Sequence, residues 1–174
     1  MNSRAETHVI EAEPLTASAF APYGDVIETA GHEAVPMNQG WARRYHDLAD
    51  VDVTDQQGRV QISLAHVQAE ESPVALRLLE RHPLGSQIFM PLSGHPFLVV
   101  VAGGREAPPR DALRAFVGGY GQGVNYHKGI WHHPMIALEA DADFLIVDRQ
   151  GPGANCEEIP IPDGPVEIHR AARP

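Results

Sequence analysis

The chain carries ten histidines. Five of them fall in the stretch ERHPLG with the following SGHP turn, and in NYHKGIWHHP. In the latter stretch His127, His132 and His133 sit beside Asn125, Tyr126, Lys128 and Trp131, a concentration of polar and aromatic groups next to strand-like apolar sequence. Imidazoles titrate near neutrality and so serve as general acids and bases, and their neutral nitrogens ligate borderline divalent ions such as nickel or zinc. A buried structural histidine is the alternative for each. Neighbouring strand residues face opposite sides, so His132 and His133 cannot both enter one pocket. His95, in a Ser-Gly-His-Pro turn between two apolar runs, reads as solvent-exposed.

Glu80 and His82 offer an acid oxygen and an imidazole two residues apart. The stretch VALRLLERHPLG that holds them fits a helix through Ala75, Leu76 and Leu79, and one face of a strand through Val74, Leu76, Leu78, Glu80 and His82. As a strand it would project Glu80 and His82 together and Arg81 the other way. Gln87 is either a weak neutral ligand or an ordinary strand hydrogen-bonder. Arg43 and Arg44, followed by Tyr45, His46 and Asp47, form the densest charged cluster outside the strand-like runs. Arginine clamps carboxylates bidentately, although a surface loop explains the cluster equally well. Asp148 and Arg149, at the end of DFLIVDR, read as a site pair or a strand-end ion pair.

The elements that would position these groups are short strands. Seven runs, RVQISLAHVQ, SQIFMPL, FLVVVAG, LRAFVGG, PMIALE, DFLIVDR and PVEI, alternate with turn-forming SGHP, GGREAPPRD, GGYGQG and RQGPGANC. That spacing predicts a β-barrel or sandwich. Thr16 is placed to N-cap a short helix over Ala17 to Ala21, closed by Pro22 and Gly24. Residues 1–13 are polar and without period, and are expected to be a frayed tail or an edge strand.

A length of 174 residues with 43% hydrophobic content suits one domain with one sizeable core. A formal net charge of −10, with no Lys/Arg run, argues against a nucleic-acid partner. Cys156 stands alone, which excludes an intrachain disulfide and suits a reducing compartment. No signal-peptide core and no membrane span is legible, so a soluble cytoplasmic protein is expected.

Four segments together carry a resemblance: RRYHDL at 43–48, LERHPLGSQIFMPL at 79–92, LRAFVGGYGQGVNYHKGIWHHP at 113–134 and DFLIVDR at 143–149. They closely resemble the ureidoglycolate lyase family, formerly called ureidoglycolate hydrolase, and PLTASAFAPYGDVIET at 14–29 is similar to the family's start. The resemblance implies a cupin-type double-stranded β-helix, a jelly-roll barrel, and a homodimer. It also implies a small-molecule substrate, (S)-ureidoglycolate, from which urea is eliminated to give glyoxylate in allantoin breakdown. Glu80-x-His82 with Gln87 looks like the first cupin motif, His-x-His followed by Glu. His127-x-Gly129-x-x-His132 looks like the second, Pro-x-Gly-x-x-His. The departures, Glu80 for His and Gln87 for Glu, make a divalent ion such as Ni²⁺ optional, with Glu80, His82, Gln87 and His132 as its ligands where one is bound.

Within that resemblance, ureidoglycolate is a hemiaminal that collapses once a base takes its hydroxyl proton and an acid protonates the departing nitrogen. The candidate acid–base set is Glu80, His82, His127 and His132. Arg43, Arg44 or Arg149 is expected to hold the substrate carboxylate, and Tyr45, Gln87, Asn125 and Tyr126 the rest of the molecule. Two other readings stay open on residues alone: a non-catalytic cupin that binds a small carboxylic acid, and a metal-dependent cupin isomerase or dioxygenase.

Overall fold

The structure is a computed structural model and describes residues 6–104 and 106–170. Strand accounts for 47% and helix for 8% of the chain, so turns rather than helices make the connections. In chain order the first elements are β1 (His8–Pro14), α1 (Ala17–Phe20), β2 (Gly24–Ile27), β3 (Val35–Met37), β4 (Ala42–Arg44) and β5 (Arg59–Val67). Then follow β6 (Ala69–Glu70), β7 (Val74–Ala75), β8 (Leu78–Arg81), β9 (Gln87–Pro91), β10 (Phe97–Ala102) and β11 (Arg114–Gly118). The last are β12 (Gly123–Tyr126), β13 (Trp131–His132), β14 (Ile136–Leu138), β15 (Ala142–Gln150), β16 (Glu157–Pro160) and β17 (Val166–Arg170). All seven runs expected to be strands are strands.

Two curled sheets make the cupin-type barrel. One has ten strands, with β16-β8-β13-β10-β11-β1-β17-β7 in order and β14 and β6 continuing beside β10. The other has five, in the order β2-β12-β9-β15-β5. The space between them is filled from both sides, by Phe97, Val99, Val101 and Phe116 of the larger sheet and by Val26, Phe89, Val124, Tyr126 and Phe144 of the smaller. Strand β10 is buried along its whole length, because its alternate residues Leu98, Val100 and Ala102 enter a second core with Val74, Leu79, Trp131, Ile136 and Ile168. A strand covered on both faces has no place for a polar residue, and FLVVVA reads accordingly.

Thr16 caps α1 as expected, its Oγ1 accepting from the Ala19 N–H at 3.2 Å, and Ala21 is the C-terminal cap rather than a helical residue. The helix drives Phe20 into the interior, edge-on to Phe116 with ring centroids 5.7 Å apart. Residues 8–14 form a strand instead of a frayed tail. It is parallel to β17 over residues 8–12 and to β11 at Glu13 and Pro14, so it bridges two strands. Residues 1–5 lie outside the described residues.

Gly118 faces Phe97 across the β10–β11 pair. A Cβ there would lie 2.2 Å from Phe97 Cζ, and the ring is fully buried with nowhere to turn. Gly118→Ala is therefore expected to destabilise the protein by about 2 kcal/mol through overpacking. Thermal unfolding of the variant measures this, and an unchanged midpoint would show that the ring yields.

Candidate active site

The ambiguous 74–82 stretch is not helical but holds two short strands, β7 and β8, with His82 just beyond the second. β8 pairs with β16 on one side and β13 on the other, which places Glu80 opposite His132. The alternation does what the strand reading requires. Glu80 turns to His132, whereas Arg81 points away, pairs with Glu157 and lies 4.5 Å over the Trp131 ring.

Glu80 Oε1 is 3.3 Å from His132 Nε2, and His132 is almost wholly buried. The His82 ring lies 5.3 Å from that of His132, and Tyr126 stacks flat on His132 at 4.2 Å. Backbone carbonyls fix the orientation of both imidazoles. Asn155 O lies 2.6 Å from His82 Nδ1, and Ile130 O lies 3.1 Å from His132 Nδ1. A carbonyl only accepts, so both Nδ1 atoms carry hydrogen and both Nε2 atoms are left to act. Asn155 is itself pinned, since its Oδ1 accepts from the Leu84 N–H at 2.8 Å.

The hydrogen bond to His132 holds the Glu80 carboxyl below the usual carboxylate range, against burial and with help from His82 and His133. Burial pushes the Tyr126 phenol up, and the charge of Glu80 adds to the effect, so Tyr126 remains a neutral O–H donor. His82 Nε2 and Tyr126 OH are buried without a hydrogen-bond partner, and His132 Nε2 has only its 3.3 Å contact with Glu80. One ligand atom from each of Glu80, His82 and His132 lies within 4.8 Å of the other two. Two ring nitrogens facing one carboxylate repel unless positive charge stands among them, so this donor set fits a divalent cation or a shared proton.

Residues 125–127 divide between two faces. Tyr126 points inward, but Asn125 and His127 point outward to Asp25, by 2.8 Å and 3.2 Å contacts. The period-2 alternation that separates His132 from His133 thus puts the candidate residues Asn125 and His127 on the face opposite Tyr126, away from Glu80 and His132. Burial opposes ionisation of Asp25, but hydrogen bonds from Asn125 and the Asp50 N–H, with His127 nearby, hold its carboxyl below the usual range. Asn125 also donates to Asp50 O at 2.8 Å, fastening the 45–57 segment across the outer face of the smaller sheet. His133, buried on the opposite side from His132, accepts from the Arg77 N–H at 3.2 Å, and burial pushes its protonation down.

Arg149 does not reach the interior either. Its guanidinium donates to the carbonyls of Asp55, Gln56 and Pro152 and packs against Gly58, Gly85 and Gly151, which leave the slot it fills. It is a buried brace for the 55–57 turn, not a carboxylate clamp. Arg43 and Arg44 are exposed on the separate β3–β4 hairpin, with Tyr45 half-buried just beyond it. Gln87 is on the inner face of β9, opposite Tyr126, with Nε2 donating to Asp148 at 3.3 Å. Asp148 is thus the interior member of the Asp148-Arg149 pair. His95 is exposed in its turn as expected. Cys156 is exposed near Glu80 and Glu158, and burial raises its thiol pKa, which does not favour thiolate chemistry.

The ureidoglycolate lyase family profile matches residues 7–169. A ureidoglycolate lyase of Stutzerimonas stutzeri (strain A1501) is 53% identical over 146 residues, covering 84% of this chain and 86% of that protein. One of Pseudomonas entomophila (strain L48) is 50% identical over 151 residues, covering 87% and 90%. Among solved structures, a dTDP sugar isomerase from Desulfovibrio desulfuricans G20 is 18% identical with a TM-score of 0.48, covering 81% of this chain and 87% of that one. With the profile spanning nearly its whole length and such relatives on either count, the chain belongs to the ureidoglycolate lyase family.

Proposed function

We propose that this protein eliminates urea from ureidoglycolate to leave glyoxylate, and that the carrying observation is the buried Glu80–His132 pair beside His82 in the barrel interior. Glu80, held ionised, takes the substrate hydroxyl proton. As the oxygen becomes a carbonyl the C–N bond breaks, and the departing nitrogen takes a proton from His132 Nε2–H. Transfer from Glu80 back to His132 across their 3.3 Å contact restores both groups, so no water is consumed. His82, oriented by Asn155, lies against the same oxygen atoms, and Tyr126 O–H is available to the urea carbonyl.

Among the described residues no Arg or Lys enters this interior. Arg43, Arg44 and Arg59 are exposed. Lys128 is held by Asp52 and Asp55. In place of the proton that Glu80 and His132 exchange, a divalent cation, nickel or another, would be held by Glu80, His82 and His132 and would supply positive charge to the substrate's carboxylate and hydroxyl oxygens.

The same reading places the reaction in allantoin use, in the cytoplasm, and in a homodimer. The lone Cys156 suits a reducing compartment. No helix among the described residues is long and apolar enough to cross a membrane. For the dimer, the support is an apolar outer face on the smaller sheet. Ile62, Val147 and Ile88 form one cross-strand row and Leu64, Leu145 and Met90 the next, with Ile62 70% and Leu64 68% exposed. Such a face on an edge strand suits burial against its own copy.

The test is incubation of chelator-treated protein with racemic ureidoglycolate, with and without added nickel, assaying glyoxylate, urea and ammonia against the spontaneous rate. Glyoxylate and urea are expected in equal amounts. Ammonia as a stoichiometric product, or no rate above background, would end this reading.

A further inference from the structure

Gln87 Oε1, Asp148 Oδ1 and Tyr126 OH are buried, have no hydrogen-bond partner among the described residues, and take no part in the proton transfer. Gln87 and Asp148 act as one unit. Gln87 Nε2 donates to Asp148 Oδ2 at 3.3 Å, which orients the amide so that the pair presents two acceptors, Gln87 Oε1 and Asp148 Oδ1. Both face the interior, because Gln87 alternates with the core residue Phe89 and Asp148 lies four residues beyond the core residue Phe144. Gln87 is also the register partner of Tyr126, whose ring covers His132. The acceptor pair, on β9 and β15 of the smaller sheet, therefore faces the acid–base pair, on β8 and β13 of the larger, with Tyr126 of β12 between them.

Buried acceptors left without donors are costly, and they select a ligand that brings N–H groups. A carbamoyl terminus fits all three atoms. Its NH2 offers two N–H bonds to the two acceptors, and its carbonyl accepts from the Tyr126 O–H.

We infer that Asp148, oriented together with Gln87, reads the terminal NH2 of the substrate, and that this pair restricts the enzyme to hemiaminals whose nitrogen carries a carbamoyl rather than a plain acyl group. This rests on the elimination reading above. It assigns Gln87 to the substrate rather than to a cation.

The experiment compares ureidoglycolate with 2-acetamido-2-hydroxyacetate, the same hemiaminal with a methyl group in place of the terminal NH2, which would release acetamide and glyoxylate. Native protein is expected to prefer ureidoglycolate by about 100-fold or more in kcat/KM. In Asp148→Leu that preference should shrink to within about five-fold, through loss on ureidoglycolate, with nickel binding retained. Equal handling of the two compounds by native protein overturns the inference, whether or not any variant folds. So does an undiminished preference in folded Asp148→Leu, or a loss of nickel binding there with selectivity intact. Gln87→Met, nearly isosteric, should reduce the preference in the same direction if Asp148→Leu does not fold, and an undiminished preference in it counts equally against the pair. Native protein that releases no urea from ureidoglycolate contradicts the lyase reading itself, a result visible before any variant is made.

Discussion

Glu80→Gln is expected to lower kcat/KM by about a thousand-fold while leaving the fold intact, since a positioned base contributes about 10² to 10⁴ in rate. The amide keeps the shape of the carboxylate and can still meet His132, but it takes no proton. His132→Ala should cost a similar factor. The double variant should be little worse than either single one, because the two groups pass a single proton between them. Steady-state rates on the three proteins decide this, and turnover within about three-fold of native in folded Glu80→Gln would move the base elsewhere. The pH dependence has a defined sign. The carboxyl of Glu80 is held below its ordinary value of 4.5 in the folded state by the hydrogen bond to His132. Activity should therefore persist on the acid side to a pH below that value. The stability that Glu80 contributes is fully present above its unfolded value and is lost as pH falls through the folded one.

Arg149→Met should have the opposite profile: a large loss of stability with KM for ureidoglycolate nearly unchanged. The substitution leaves the carbonyls of Asp55, Gln56 and Pro152 without their buried donor. The expected cost is about 3 kcal/mol. For a chain of this length that lowers the melting midpoint by roughly 6–12 °C. A large rise in KM without a loss of stability would restore Arg149 to the substrate site.

Much of the barrel was legible in the sequence because its strands alternate and its turns are rich in glycine and proline. Segment 74–82 was not, since Ala75, Leu76 and Leu79 satisfy the helical period and Val74, Leu76, Leu78, Glu80 and His82 the strand period, and only pairing of β7 with β17 and of β8 with β13 and β16 decides for strand. Of the candidate site residues, Glu80 and His82 were legible together from their spacing, while His132 meets them only through the β8–β13 pairing. The face of Asn125 and His127 was not legible for want of an inward reference, which Tyr126, as a core residue, supplies: both point outward. Arg149 could not be read locally, because Gly58 and Gly85, which help make its slot, come from distant parts of the chain. The β3–β4 hairpin that carries Arg43 and Arg44 is three residues a side and too short to show a period. Asp148 looked like an ion-pair partner of its neighbour, yet adjacent strand residues diverge and the two face opposite ways.

Strand β10 has a bearing on how substrate gets in. It is flanked by β11 on one edge and by β13 and β14 on the other, with both faces covered. Its amides should be among the slowest in the molecule to exchange with deuterium, opening only when the whole domain unfolds. His132 hangs from that strand through its pairing with Val101. The wall behind the acid–base pair therefore cannot breathe on the timescale of turnover, and traffic of reactant and products must run through the loops at the barrel's rim.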